Sequence, residues 1–244
     1  WMPSEFSNYF LLVNIANYNL DIYRQNKIEQ SYKIIAGKPV RKTPVFSSRL
    51  SYLVFNPTWT VPPTILKEDV IPEARKSTDY LRKKNIRILD SNGDMINLDS
   101  VNWMSPIIQS YTFRQDPGPA NALGVVKFMF PNPYSIYLHD TPSKELFSKT
   151  DRAFSSGCIR VENPLSLAEY LLNDRQKWNE EEIKKVIASN TTQTVTLKQQ
   201  PDIHILYWTC WEKNGDIFFR KDIYERDSAL LKALKESPRI DIGN

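Results

Sequence analysis

The chain has 244 residues, 41% hydrophobic and 25% charged, enough for one large domain or two small ones whose core needs no disulfide staples. Seven glycines and sixteen prolines exclude a collagen-like or low-complexity chain, and 29 aromatic residues exclude a disordered one. The net charge is only +4 and the basic residues form no stripe, so no nucleic-acid partner is expected.

Strand character comes first. Tyr9 to Ile15 is apolar and rich in β-branched residues, Asn17 and Asn19 supply turn chemistry, and Leu20 and Ile22 alternate with Asp21 and Tyr23, which predicts a hairpin. A third strand over Ile28 to Ala36 ends at Gly37. After the loop Lys38 to Lys42, an apolar stretch from Leu50 to Phe55 runs into Pro57, Pro62 and Pro63. From Thr64, read as a helix cap, a helical pattern runs through Ile65, Leu66 and Val70, with Pro72 opening a second helix. Ile86 to Leu89 and Met95 to Leu98 flank a turn-rich loop, Asp90 to Asp94, as a second hairpin. Residues 64–115 separate two β-rich blocks and read as an insertion, either a lid or inert decoration.

Strands resume at Val125 to Phe130 and Ser135 to His139, followed by helices from Pro164 through Leu172 and over Glu180 to Ala188. Thr194 to Leu197 and Ile203 to Trp211 are strands, Asn214-Gly215 marks a hairpin turn before Ile217 to Phe219, and Asp227 to Lys235 is a short helix. The predicted fold class is mostly β: a sandwich or barrel-like core with peripheral helices and an α+β capping insertion. No apolar run approaches the roughly 18 to 20 residues of a membrane span, so this segment is expected to make no membrane contact. An export signal, if the protein has one, would lie upstream of Trp1.

The reactive inventory is small: Cys158 and Cys210, His139 and His204. Neither C-x-x-C nor H-x-x-x-H occurs, so no structural metal site is expected. His204 and Cys210 share a face of one predicted strand with Leu206 and Trp208 and are expected in the core. His139 closes a predicted strand, and Cys158 sits on the Ser/Gly-rich turn Ser155-Ser156-Gly157-Cys158, a separation of 19 positions that a folded loop can close. An unassisted thiol of pKa about 8.5 is only roughly 3% thiolate at pH 7, so an imidazole that ionised it would raise the nucleophile about thirtyfold. Ser156, Gly157 and Cys158 also offer three successive N–H groups to an oxyanion. On spacing alone, Cys158 reads either as a nucleophile or as a small buried hydrophobe.

These residues resemble the L,D-transpeptidase catalytic domain (YkuD type) of bacterial cell-wall synthesis. That signature is a histidine, a loop of about fifteen residues, then Ser/Thr-x-Gly-Cys, an apolar residue and Arg or Asn, matched here by His139 and Ser155-Ser156-Gly157-Cys158-Ile159-Arg160. Gly37 with Thr43-Pro44 and Asn121-Ala122-Leu123-Gly124 resemble further family segments, and Tyr207-Trp208-Thr209 through Tyr224 is similar to the tail of the large Gram-negative, YcbB-like subclass. Two positions depart from the common pattern: Ser156 stands where many members have a second histidine, and Asp140 follows His139 where many have Gly or Ser.

The resemblance implies a catalytic domain made of residues 1–63 and 116–244, with 64–115 as a capping insertion within it. It implies a Cys158 nucleophile, a His139 base oriented by the backbone carbonyl of Asp140, and a Ser156-Gly157 oxyanion turn. The reaction would be attack on a tetrapeptide stem after meso-diaminopimelate, release of D-Ala from a Cys158 thioester, and transfer to a second stem as a 3→3 cross-link. Hydrolysis to a tripeptide and a silent peptidoglycan-binding module are the alternatives. Tyr137, which shares the face of His139, and Arg160 and Trp103 are candidate substrate contacts; the other reading is packing for Tyr137 and Trp103, and for Arg160 a structural role holding the cysteine loop. Peptidoglycan stems are the implied partners, carbapenems the implied covalent inhibitors, and the periplasm the implied location. No cofactor is implied. The parents of such domains carry a signal or anchor and a peptidoglycan-binding domain, so the chain is expected to be an excised catalytic domain.

Overall fold

The computed structural model describes residues 5–213 and 215–235, and eleven of its strands join in one mixed sheet. Tyr9–Asn14 and Asn19–Arg24 form the expected hairpin, with Leu11, Val13, Leu20 and Ile22 fully buried. Lys27–Gly37 changes partner along its length. Its residues from Lys27 to Lys33 pair with Asn19–Arg24, Ile34 and Ile35 pair with Ile159–Val161, and Ala36 and Gly37 meet Ala153–Ser155. That switch links two half-sheets. On one side lie Tyr9–Asn14, Asp202–Leu206 and Phe46–Arg49; on the other lie Ile159–Val161, Leu138–His139, Val126–Met129, Tyr52–Phe55 and Gln193–Thr196. Leu11 and Leu20 from the first half share one apolar cluster with Leu53, Phe128 and Leu138 from the second, so the sheet closes over a common core as a sandwich. The fold is mostly β with few helices, the class the sequence predicts.

The helices Pro164–Leu172 and Glu180–Ala188 fall where expected. Proline opens the first, where its missing N–H has no intrahelical partner to lose, and Leu167, Ala168 and Leu171 enter the main core. The Asn179 side chain caps the second by accepting from the Glu182 N–H at 3.0 Å.

The insertion has its own sheet, in the order Trp59–Thr60, Thr112–Gln115, Ile86–Leu89 and Met95–Ile96, over its own cluster of Val61, Leu66, Leu81, Ile88 and Phe113. Pairing of Trp59 with Gln115 and Thr60 with Arg114 draws the sheet's edge strand from before residue 64. Thr64 caps nothing: Pro62 occupies the cap position and Pro63 opens the helix. Nor does Pro72 start a separate helix. It is the second residue of Ile71–Lys76, after a π-helical turn, Leu66–Val70, in which the Ile71 N–H reaches back to the Leu66 carbonyl. The wider turn accommodates a ring that cannot donate and would crowd the preceding carbonyls.

Two further differences concern strands. Phe46–Arg49 adds an edge strand that its Phe-Ser-Ser-Arg pattern does not announce. The single strand expected over Ile203 to Trp211 is two, Asp202–Leu206 and Cys210–Lys213. Between them the Asn14 side chain donates to the Trp208 carbonyl and accepts from the Trp208 N–H, both at 3.1 Å, which takes those groups out of the ladder. Cys210 is therefore exposed on a separate hairpin with Asp216–Phe219, a correction to its expected place in the core; His204 is buried as expected. Asn214 of the expected turn lies outside the described residues. Among the described residues no helix is long and apolar enough to cross a membrane, and no group of three His, Cys, Asp or Glu is placed to hold a metal ion.

Because Ile34 is fully buried where the long strand changes partner, Ile34→Ala should cost about 2–5 kcal/mol in urea unfolding. Ile217→Ala, at a residue 65% exposed, should change stability by no more than about 0.5 kcal/mol in the same measurement.

Candidate active site

Leu138–His139 and Ile159–Val161 run parallel, with Leu138 opposite Ile159 and His139 opposite Arg160. A parallel pair needs a crossover of a dozen residues or more, which the stretch between His139 and Cys158 supplies. Side chains alternate across a strand, so Leu138 and Ile159 enter the core while His139 and Arg160 share the other face. One position before Leu138, the Tyr137 carbonyl accepts from the Ile159 N–H at 3.1 Å. The strand ladder thus brings Tyr137, His139, Cys158 and Arg160 to the wall of one cavity of about 500 Å³. A larger cavity of about 860 Å³ has Asp140 and Lys144 in its wall but neither Cys158 nor His139.

His139 is only 5% exposed. Its Nδ1–H donates to the Asp140 carbonyl at 2.5 Å, which leaves Nε2 as the basic nitrogen. Burial, helped by the charge of Arg160, pushes its pKa down from 6.5 to about 3, so the ring is neutral. The Asp140 carboxylate points elsewhere: it accepts from the Val125 N–H at 2.9 Å and pairs with Lys144. No carboxylate-based triad forms, as adjacent strand positions predict. Gly124 makes room for that carboxylate. Its φ is +59°, and a Cβ there would come within 2.2 Å of Asp140 Oδ2.

The cysteine turn is held from within by hydroxyl groups. Ser155 Oγ donates to the Cys158 carbonyl at 2.5 Å and accepts from the Gly157 N–H at 3.1 Å. Thr43 Oγ1 donates to the Gly157 carbonyl at 2.7 Å and accepts from the Gly37 N–H at 2.9 Å. Tyr224, fully buried, donates to the Gly37 carbonyl at 2.6 Å and accepts from the Thr43 N–H at 3.1 Å. Gly157 adopts φ +118°, a conformation closed to other residues without strain. One expectation changes here. Since the Gly157 N–H is committed to Ser155, only the N–H groups of Ser156 and Cys158 remain for an oxyanion.

Burial pushes the Cys158 thiol up, against hydrogen bonds from Tyr137 and the charge of Arg160, which pull it down. The resting pair is therefore neutral thiol and neutral imidazole. That corrects the expected gain in thiolate, and the cause is burial, which penalises both charges at once. The thiol is directed to the Ser135 carbonyl, 3.7 Å away, rather than to His139. Ser135 itself has φ +56°.

Tyr137 is half-buried, with its ring 5.7 Å from that of His139 and its hydroxyl beside Cys158 and Trp59. Arg160 forms no ion pair within 4 Å among the described residues, and its Nε is buried without an acceptor. Exposed Ser156 accepts from Arg41 at 2.9 Å. Arg41 also binds Glu68 at 2.6 Å and Asp69, both on the π-helical turn, and so ties the cysteine turn to the insertion. Trp103 lies outside the cavity, packed on Phe113 in the insertion's own cluster, where a large apolar ring covers a small core.

Residues 8–194 match the family model described as the L,D-transpeptidase catalytic domain (YkuD). The chain belongs to that family. It is also 37% identical over 221 residues to a curated Haemophilus influenzae protein described as "Putative L,D-transpeptidase", covering 90% of this chain and 45% of that protein. The chain thus spans a little under half the length of that relative. Among solved structures it is similar to the catalytic domain of the Enterococcus faecium L,D-transpeptidase acylated by ertapenem, at 10% identity and TM-score 0.37 over 83% of this chain and all of that one. It is likewise similar to Mycobacterium tuberculosis L,D-transpeptidase 3 with a faropenem-derived adduct, at 9% identity and TM-score 0.38 over 81% of this chain and 60% of that one. Those superpositions are partial.

In this transpeptidase domain several site residues carry no local signal. Arg41 and Trp59 reach the cavity from distant segments, Ser135 enters from the turn just before Tyr137, and Tyr224 supports the cysteine turn from the other end of the chain. Thr43 and Gly37 are different, because the family pattern marks them even though it does not say what they hold.

Thr43→Val should strand the Gly37 N–H and the Gly157 carbonyl, lowering stability by about 1–3 kcal/mol for each orphaned group and slowing Cys158 acylation. Thermal unfolding and intact-mass labelling read the two effects. A pH prediction follows from His139, whose folded pKa lies below its unfolded value. Between about pH 6.5 and 3 the unfolded chain takes up a proton that the folded chain refuses, so stability falls with pH by up to about 1.4 kcal/mol per unit. Urea midpoints should drop more steeply from pH 7 to 4.5 in the wild type than in His139→Gln; parallel curves would contradict a buried neutral imidazole.

Proposed function

We propose that this domain forms 3→3 cross-links in peptidoglycan, joining diaminopimelate residues of two peptide stems through a thioester on Cys158. The observation that carries the reading is a cysteine and a histidine in one cavity, with His139 Nδ1–H held by the Asp140 carbonyl so that Nε2 is left to take a proton. Cys158 Sγ attacks the carbonyl between diaminopimelate and the terminal D-Ala of a tetrapeptide stem, and its proton passes to His139 Nε2. The N–H groups of Cys158 and Ser156 receive the oxyanion. His139 then protonates the departing D-Ala amine as the C–N bond breaks, leaving the thioester. The side-chain amine of a second diaminopimelate loses a proton to His139 as it attacks, and the thiol regains one as it leaves.

Because both groups rest neutral, proton transfer accompanies attack instead of preceding it. Catalytic hydrogen bonds are often loose before substrate arrives, which is consistent with a thiol turned towards Ser135. Arg160, unpaired beside Cys158, is suited to a stem carboxylate, and Tyr137 to the wall of the same cleft. The insertion, tied down by Arg41, covers one side of that cleft. Carbapenems would acylate the same thiol, and the site of action would be the periplasm.

The test is mass spectrometry of disaccharide-tetrapeptide incubated with the domain and with Cys158→Ala. A cross-linked dimer lacking one D-Ala, absent from the variant, is expected. Tripeptide monomer alone would make the domain a carboxypeptidase, and identical traces from both proteins would leave a binding module. His139→Gln should slow acylation by about 10²–10⁴-fold, the range for loss of a general base.

A further inference from the structure

Beyond the Cys158 cavity and the larger one beside Asp140, a further, polar cavity has no part in the proposed reaction. It measures about 610 Å³ and lies between the first hairpin and the C-terminal one, with Asn17, Asn19, Asp21, Trp208, Trp211 and Arg220 in its wall. Hydrogen bonds run across it as a ladder. Arg220 Nε donates to Asn17 Oδ1 at 2.6 Å, Asn17 Nδ2 to Asn19 Oδ1 at 2.8 Å, Asn19 Nδ2 to Asp21 Oδ2 at 2.6 Å, and Ser31 Oγ to Asp21 Oδ1 at 2.6 Å. Each amide and the carboxylate is thereby oriented while using only part of its bonding capacity.

Aromatic surface adjoins the ladder. Trp211 stacks on Phe218 with ring centroids 5.7 Å apart, and the Arg220 guanidinium lies 5.3 Å from the Trp211 ring. Two lining residues carry buried polar atoms with no partner: Trp208 Nε1 and the hydroxyl of Tyr18, a residue 6% exposed. Such orphans are uncommon in folded proteins, and these two lie desolvated behind the groove wall. The charged lining residues are balanced, four acidic and four basic, so the cavity suits a neutral ligand better than an anion.

Flat indole surface beside oriented amides and a carboxylate matches a pyranose ring. The C–H face of such a ring stacks on an aromatic, while its hydroxyl and N-acetyl groups exchange hydrogen bonds with Asn, Asp and Arg. We propose that this groove binds a short segment of N-acetylated hexosamine glycan. The choice of that polymer over other saccharides rests on the peptidoglycan reading above. Arg152 and Glu162 also line the groove; the first precedes strand Ala153–Ser155 and the second follows strand Ile159–Val161, the two strands that flank the cysteine turn. A glycan seated there is held by the elements that carry Cys158.

The experiment titrates a β-1,4-linked N-acetylglucosamine tetramer into the full chain carrying Cys158→Ala and follows the indole N–H signals by NMR. Shifts of Trp208 and Trp211 that saturate at millimolar sugar are expected, with Trp211→Ala and Arg220→Ala each weakening binding by about tenfold. No shift of either indole, or undiminished binding in both variants, would overturn the proposal; an equal response to maltotetraose would overturn the N-acetylated choice. This readout needs no turnover, so it judges the groove even if transpeptidation fails. In the active enzyme, Trp211→Ala should lower the ratio of turnover on glycan-borne stems to that on free tetrapeptide, and an unchanged ratio would count against the groove.

Discussion

The parallel pairing of Leu138–His139 with Ile159–Val161 is the constraint on which the site depends. Register and alternation together place two side chains of each strand in the core or in the cleft, with no freedom between the two outcomes. A slip of one residue would send His139 inward and Leu138 into the cleft. The fully buried Leu138 and Ile159 oppose that slip, because exposing them would forfeit their share of the main core. Catalytic alignment is thus maintained by ordinary hydrophobic burial on the far side of the same strands.

Burial also sets the charge state. The environment that orients His139 keeps it neutral and raises the thiol, so the site stores no ion pair at rest. In the proposed reaction such a neutral pair would rely on proton transfer during attack, with the unpaired Arg160 next to Cys158 favouring negative charge as it develops. Held in place by the Asp140 carbonyl, the ring keeps one tautomer without a carboxylate partner. The Asp140 side chain is released for a different task, closing the turn at Gly124 and Val125.

Around this centre the chain uses hydroxyl groups as two-way connectors. Ser155, Thr43 and Tyr224 each accept from one backbone N–H and donate to one backbone carbonyl, so in a turn with little regular structure the Gly157 N–H and the Gly157 and Cys158 carbonyls are satisfied while the Ser156 and Cys158 N–H groups stay free among the described residues. Arg41 extends the network outward, joining Ser156 to Glu68 and Asp69. The segment from Trp59 to Gln115 is a separate packing unit with its own sheet and apolar cluster, yet Glu68 and Asp69 are ion-paired to Arg41, which hydrogen-bonds to Ser156 on the cysteine turn.

Local chemistry made much of this legible in the chain. An apolar run with β-branched residues marked Tyr9–Asn14, alternation marked Asn19–Arg24, proline marked the start of Pro164–Leu172, and a Ser/Gly turn after a histidine marked Cys158, whose wider pattern resembles one family. Each of these signals is carried by neighbours in sequence. What only the tertiary structure decided involves partners far apart: the break at Trp208 imposed by Asn14, the exposure of Cys210, the loss of the Gly157 N–H to Ser155, and the support of Thr43 by Tyr224. Periodicity reports which face a side chain takes, whereas its hydrogen-bond partner and its desolvation depend on which distant segment arrives there. For that reason the placing of Cys158 and His139 in one cavity could be read from the sequence, and their protonation and the backbone N–H groups left free on the turn could not.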